Sequence, residues 1–193
     1  MDPMRARLVE TLSKHQAEDE KERADLAKMW AHALGLKQPF SRAQLEAHFT
    51  GSAVVVDPAG ERICLLHHAK LHRWLQPGGH ADETDGVMEE TALREAREET
   101  GLRVSLHPTA PRPLDVDVHT IPARKTEPEH QHLDVRYLVV AEDPEALAHD
   151  PDESFGAQWL TWDEALLRVD DDALKRLLRK ARRAMLDSRG QHP

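Results

Sequence analysis

Apolar residues recur at helical spacing near the start of the chain, first as Leu8, Val9 and Leu12, then as Leu26, Met29, Trp30, Ala33 and Leu34. At about 3.6 residues per turn each set falls on one face, which predicts helical structure over residues 4 to 35. The intervening Gln16 to Arg23 is polar all round, so the pattern fits two helices or one long helix with a solvated middle. Gly35 and Pro39 close the segment. Ser41 then caps a short helical turn that runs to His48. From Thr50 the period changes. Thr50 to Asp57 and Arg62 to His68 are β-rich runs on either side of Pro58-Ala59-Gly60, the pattern of a hairpin. Their near-continuous apolar character predicts strands covered on both faces.

Further strands follow by alternation at Leu102 to Leu106, Asp115 to Ile121 and His130 to Val140, with a Pro-containing loop from Pro122 to Glu129. In the longest of these, a period of two puts His130, His132, Asp134 and Arg136 on one face and Leu133, Val135, Tyr137 and Val139 on the other. Asp143 to Gly156 reads as an acidic loop broken by Pro144 and Pro151, and Trp159-Leu160 as the last strand. Thr161 and Glu164 form a capping box that opens a helix to about Arg168. Asp170 to Asp172 start a terminal helix with Leu174, Leu177, Leu178 and Ala181 on its inner face. The mixture predicts an α/β fold divided into a helical extension (1–47), a core (48–169) and a C-terminal helix packed on that core (170–193).

Between the second strand and Leu102 lies the stretch that carries chemistry. A glycine loop, Pro77-Gly78-Gly79-His80, feeds a helix that Thr84 or Asp85 can cap and that Gly101 ends. On this helix Glu95, Glu98 and Glu99 stand at i, i+3 and i+4, so three carboxylates share one face. Arg94 and Arg97 could pair with them and make a solvated face. A hard cation such as Mg2+, with Mn2+ as a substitute, would also neutralise them, and the turn brings the Gly78 carbonyl to the same place.

These residues resemble the Nudix hydrolase box, which runs Gly, five residues, Glu, seven residues, then Arg-Glu-apolar-x-Glu-Glu-x-Gly-apolar. Arg94-Glu95-Ala96-Arg97-Glu98-Glu99-Thr100-Gly101-Leu102 fits the second half at each position. The first half departs from it: counted from Gly79 the acid is Asp85, and eight residues instead of seven separate it from Arg94. The resemblance covers about residues 50 to 165 and implies an α/β/α sandwich with a mixed sheet. It implies a Mg2+-dependent hydrolase that cleaves a diphosphate linkage in a nucleoside diphosphate joined to another moiety, such as ADP-ribose, a nucleotide sugar or a dinucleoside polyphosphate. Gly78, Glu95, Glu98 and Glu99 would be metal ligands, with Glu95 as ligand or base and Arg94 orienting a carboxylate. Glu153, six residues before Trp159, is the expected further ligand.

Two other readings remain: a ligand-sensing module like the Nudix proteins but without catalysis, and an enzyme like isopentenyl-diphosphate isomerase, which shares the fold and uses histidines and a catalytic cysteine. The sole cysteine, Cys64, lies in an apolar strand and reads as a buried thiol.

The substrate side is read from His130, His132 and Arg136, with His80 and Trp74 near the loop. Arg136 is expected to grip phosphate as a planar fork and the histidines to donate to phosphate or ribose oxygens; the alternative is a polar strand face with Asp134 and Arg136 paired and the histidines donating to neighbours. The same histidines with Asp134 are half of a transition-metal site, whose remaining ligand is not evident in the sequence. Leu75 to His80 and this histidine strand together look similar to a bacterial-type subgroup of the family.

Composition narrows the partners. Lys and Arg total 26 against 35 Asp and Glu, a net charge of -9, which argues against a nucleic-acid polymer or an anionic membrane as partner. The expected partner is a small phosphorylated molecule, with a homodimer as a further option. One cysteine and an N-terminus without an apolar run point to the cytoplasm.

Overall fold

The computed structural model describes residues 2–82, 84–123 and 127–190. Part of the expected Pro122 to Glu129 loop, Glu83 of the glycine stretch and the last three residues lie outside them.

The sheet is organised on β1 (Ala47–Val56), every residue of which is buried. It runs parallel to β7 (His130–Ala141) over ten registered positions, from Ala47 opposite Gln131 to Val56 opposite Val140. Its other edge is shared. The first half of β1 pairs with the short β4 (Gly78–His80), Thr50 opposite His80 and Gly51 opposite Gly79. The second half pairs with β2 (Arg62–His68), Val55 opposite Cys64. The sheet therefore forks where the glycine loop enters. Strand β2 carries β3 (Arg73–Leu75) and β8 (Ser154–Thr161), while β7 carries β5 (Val104–Leu106) and β6 (Asp115–Ile121), all antiparallel.

Alternation along β1 and β7 sorts the core into two layers. Phe49, Val55, Leu133, Val135 and Tyr137 pack with α1 (Pro3–Lys14), α2 (Glu20–Gly35) and α3 (Met88–Thr100). Val54, Val56 and Leu138 face the other way, onto α4 (Trp162–Arg168) and α5 (Asp172–Gly190), with Leu174, Leu177 and Leu178 fully buried. The result is the expected mixed sheet with helices on both faces. The N-terminal segment is two helices, and Met4, Leu8, Leu12 and Met29 belong to the main core.

Several local expectations change. The Ser41 segment forms turns instead of a helix, and the strand begins at Ala47. Strand β8 starts at Ser154, because pairing with β2 from Thr161 back to Ser154 extends it through weak strand formers. Helix α3 starts at Met88 behind Val87, which offers no side-chain cap. Neither Thr84 nor Asp85 caps it, since Asp85 is engaged elsewhere. Gly101 ends the helix in the left-handed conformation, φ 65°, as the sequence indicates.

Candidate active site

Helix α3 lies directly on β1 and β4 because glycines clear the way. A Cβ on Gly51 would stand 2.9 Å from the Met88 carbonyl, and one on Gly79 would stand 2.6 Å from the Glu95 carboxylate. The face of α3 that bears Glu95 and Glu99 is thereby pressed against the glycine strand, and the backbone N–H of Gly78 donates to Glu99 Oε2 at 3.2 Å.

Arg94 is the hub. Its Nη1 donates to Glu95 Oε1 at 2.9 Å and to Glu98 Oε2 at 3.0 Å. Its Nη2 donates to the His80 carbonyl at 2.7 Å and to Asp85 Oδ2 at 3.0 Å, and its Nε to Asp85 Oδ1 at 3.3 Å. Asp85 also accepts from the Thr91 hydroxyl and the Asp82 N–H. One guanidinium thus ties the loop, the glycine strand and two of the three helix glutamates together.

The acids differ in environment. Burial pushes the Glu95 carboxyl up, against the Arg94 hydrogen bond. Glu99 is pushed further, to about 8, by burial and then by the charges of Glu95, Glu153 and Asp150, with only the Gly78 N–H opposing. The Glu98 side chain is 59 % exposed. Glu153 sits in the turn before β8, its carbonyl accepting from the Ala69 N–H, close enough for its charge to act on Glu99. These are oxygen donors of the kind a hard divalent cation takes, but no three of their ligand atoms lie within 4.8 Å of one another, so a cation there would have to draw them together.

On the opposite face of β4 from Glu95, the parallel register brings histidines together. His48 lies opposite His132 across β1 and β7, and His80 beside them on β4. The ring of His48 is 4.9 Å from His80, 5.0 Å from His130 and 4.9 Å from His132. Burial pushes His132 down to about 2 and His80 to about 3, so both are neutral at physiological pH. His48 was missed in the sequence because Ser41 to His48 read as a helical turn. Its strand register was the missing signal.

Arg136 is not part of that group. It is buried in an ionic layer, with Nε on Asp134 at 2.8 Å, Nη2 on Asp117 at 3.0 Å and Nη1 near Asp115 at 3.5 Å. Arg176 and Lys180 of α5 reach Asp115 from the other side, and Lys21 of α2 reaches Asp117. Its planar fork is spent on three carboxylates, so it does not face a phosphate; the layer ties α2, β6, β7 and α5 together. Trp74 is likewise committed: His67 stacks on it at 5.1 Å and the Arg168 guanidinium lies 4.8 Å from its ring centre. Cys64 is wholly buried, and burial pushes its thiol up to about 12, far from the thiolate that nucleophilic chemistry needs.

Residues 48–181 match the NUDIX domain family model, and the chain belongs to that family. A curated relative, the "Probable DHNTP pyrophosphohydrolase" of Lactococcus lactis subsp. cremoris (strain MG1363), is 33% identical over 88 residues, 45% of this chain and 51% of its own length. This chain therefore spans about half the length of that relative. Among solved structures, a NUDIX family hydrolase from Clostridium perfringens is 26% identical with a TM-score of 0.52, covering 73% of this chain and 97% of its own. A C. elegans Ap4A hydrolase binary complex shares the fold at 20% identity and a TM-score of 0.51, over 72% of this chain and 98% of its own.

Proposed function

We propose that this chain is a metal-dependent hydrolase that cleaves a diphosphate linkage in a nucleoside diphosphate joined to another moiety, of the ADP-ribose, nucleotide-sugar or dinucleoside-polyphosphate type. The observation that carries the reading is the single Nη1 of Arg94 holding both Glu95 and Glu98 while Glu99 is fixed on the Gly78 N–H. The pyrophosphohydrolase name of the Lactococcus lactis relative supports the same reaction class.

Gly78, Glu95, Glu98, Glu99 and Glu153 are the proposed ligands of Mg2+, for which Mn2+ can substitute. When bound, the cation supplies neutralisation of diphosphate charge, the main barrier to attack on an anionic anhydride. The protein's own residues supply the rest. Arg94 fixes the direction of Glu95 and Glu98 and is itself braced by Asp85 and the His80 carbonyl. Glu95, whose carboxyl is raised by burial, can take a proton from a water aligned on the phosphorus. The proton leaves that water as the new P–O bond forms and the bridging P–O bond breaks. The chain's one cysteine is the buried Cys64, which fits a reducing, cytoplasmic setting.

The test is a screen of ADP-ribose, nucleotide sugars, dinucleoside polyphosphates and nucleoside triphosphates with Mg2+, followed by phosphorus NMR. Cleavage of at least one P–O–P linkage that stops when the metal is chelated is the expected result. No cleavage of any member, with binding retained, would favour the ligand-sensing reading instead.

A further inference from the structure

The histidine group lies outside the acidic site, and its details point to a ligand. The ring nitrogens of His48, His130 and His132 able to bind a metal all lie within 4.8 Å of one another, the sole such trio of histidine, cysteine or acidic side chains among the described residues. Two of the rings have their orientation fixed from behind. His130 Nδ1 is 2.9 Å from the Pro128 carbonyl and His48 Nδ1 is 3.4 Å from the Gln44 carbonyl. A carbonyl only accepts, so the proton of each ring sits on Nδ1 and the Nε2 lone pair is left free. This backing of an imidazole by a carbonyl is how metal-bound histidines are held.

The second observation concerns His48 alone. Its residue is 3% exposed and its Nε2 has no hydrogen-bond partner. A buried acceptor left without a partner loses its hydration with nothing in return, so a well-packed interior seldom keeps one. A neutral packing cluster leaves that lone pair unexplained; a cation accounts for it.

The donors also select the cation. Of the nearby carboxylates, Asp134 accepts from Thr50, Ser52 and Arg136, Asp117 from His119, Arg136 and Lys21, and Glu127, whose charge acts on His48 as does that of Arg42, pairs with Arg42 at 3.9 Å. What remains is imidazole nitrogen, which suits zinc and its neighbours and not Mg2+. We propose that Nε2 of His48 and of His130, with a ring nitrogen of His132, form a site for one zinc-class divalent cation, separate from the oxygen site on α3. The His80 ring lies 4.9 Å from those of His48 and His132, beside the trio and not within it. Bonds of about 2.0–2.1 Å in a tetrahedron put nitrogens about 3.3 Å apart, so the rings must close inward by about 1 Å. Such a cation would bind β1 to β7.

The test uses the full chain, free of any tag, stripped with a chelator and then titrated with Co2+ in excess Mg2+. The expected result is one Co2+ per chain, with the visible absorption of a low-coordinate nitrogen site, displaced by Zn2+ and not by Mg2+. His48→Gln and His132→Gln, each checked for folding by circular dichroism, should weaken Co2+ binding at least ~10–100-fold. Glu98→Gln should leave it unchanged, which separates this site from the proposed hydrolytic one. Wild-type protein that binds no Co2+, binding that survives in both histidine variants, or binding lost in Glu98→Gln would each overturn the proposal.

Discussion

Arg94 grips Asp85 with two donors, Nε 3.3 Å from Oδ1 and Nη2 3.0 Å from Oδ2. The acid counted from Gly79 with one residue too many before Arg94 is therefore the acid that Arg94 meets. The extra residue is absorbed before α3 begins at Met88. Asp85 is held below its usual carboxylate range: burial opposes this, and the hydrogen bonds from Arg94, the Asp82 N–H and Thr91, with the Arg94 charge, together outweigh it. Asp85→Ala should leave the fold intact and lower turnover about 10–100-fold, the usual cost of losing a group that orients a ligand. Steady-state kinetics beside a thermal melt check it.

The two loop glycines should fail differently. A Cβ at Gly79 meets the carboxylate of Glu95, at 2.6 Å, so Gly79→Ala displaces a side chain and not the backbone. A Cβ at Gly78 meets Ser52 Cβ at 2.3 Å and the Gly51 carbonyl at 3.0 Å, atoms of the rigid central strand. Gly79→Ala should lose at least ~10-fold in turnover at a nearly unchanged melting temperature, because only the reacting geometry moves. Gly78→Ala should lower the melting temperature or prevent folding, a contrast that a paired melt and assay will read.

Arg136 makes a third case. Its removal leaves Asp115, Asp117 and Asp134 short of a partner in a buried layer. Arg136→Leu should cost about 3–5 kcal/mol of stability by denaturant unfolding. A stable variant with only a raised KM would instead restore the phosphate-gripping role expected from the sequence.

Acid should loosen the extension. Glu22 of α2 is fully buried; burial alone would raise its carboxyl, yet hydrogen bonds from His15, the Glu18 N–H and Lys180 bring it down from 4.5 to about 2. A folded-state pKa below the unfolded one stabilises above the unfolded value, and that stability is lost as pH falls through the folded value. The stability this group supplies should therefore be lost as pH falls below 4.5. In Glu22→Gln the melting temperature should start lower at pH 7 and fall less steeply over that window; parallel profiles would contradict it.

Much of this was legible in the sequence because local rules set it. Periodicity found the N-terminal helical segment, with two helices as one of its two readings, Gly101 ended α3, the Thr161 capping box opened α4, and the spacing of Glu95, Glu98 and Glu99 put them on one face. What was not legible depends on pairing across long separations. The parallel register of β1 with β7 carries His48 to His132, and no residue near His48 announces it. The pairing of Arg136 with Asp134 was one reading of the strand, but only the approach of Asp115, Asp117 and α5 shows that its remaining donors are spent as well. Strand β8 extends past its apolar residues because β2 offers a partner.

The central claim is that the carboxylates of α3 carry a metal-dependent hydrolysis, and Glu98 tests it with least disturbance to the fold because its side chain is 59 % exposed. The measurement is turnover of Glu98→Gln against wild type, with Mg2+, on the best substrate of the screen. A loss of at least ~100-fold at unchanged melting temperature is expected, the scale of removing a group that stabilises transition-state charge. Near-normal turnover would contradict the account.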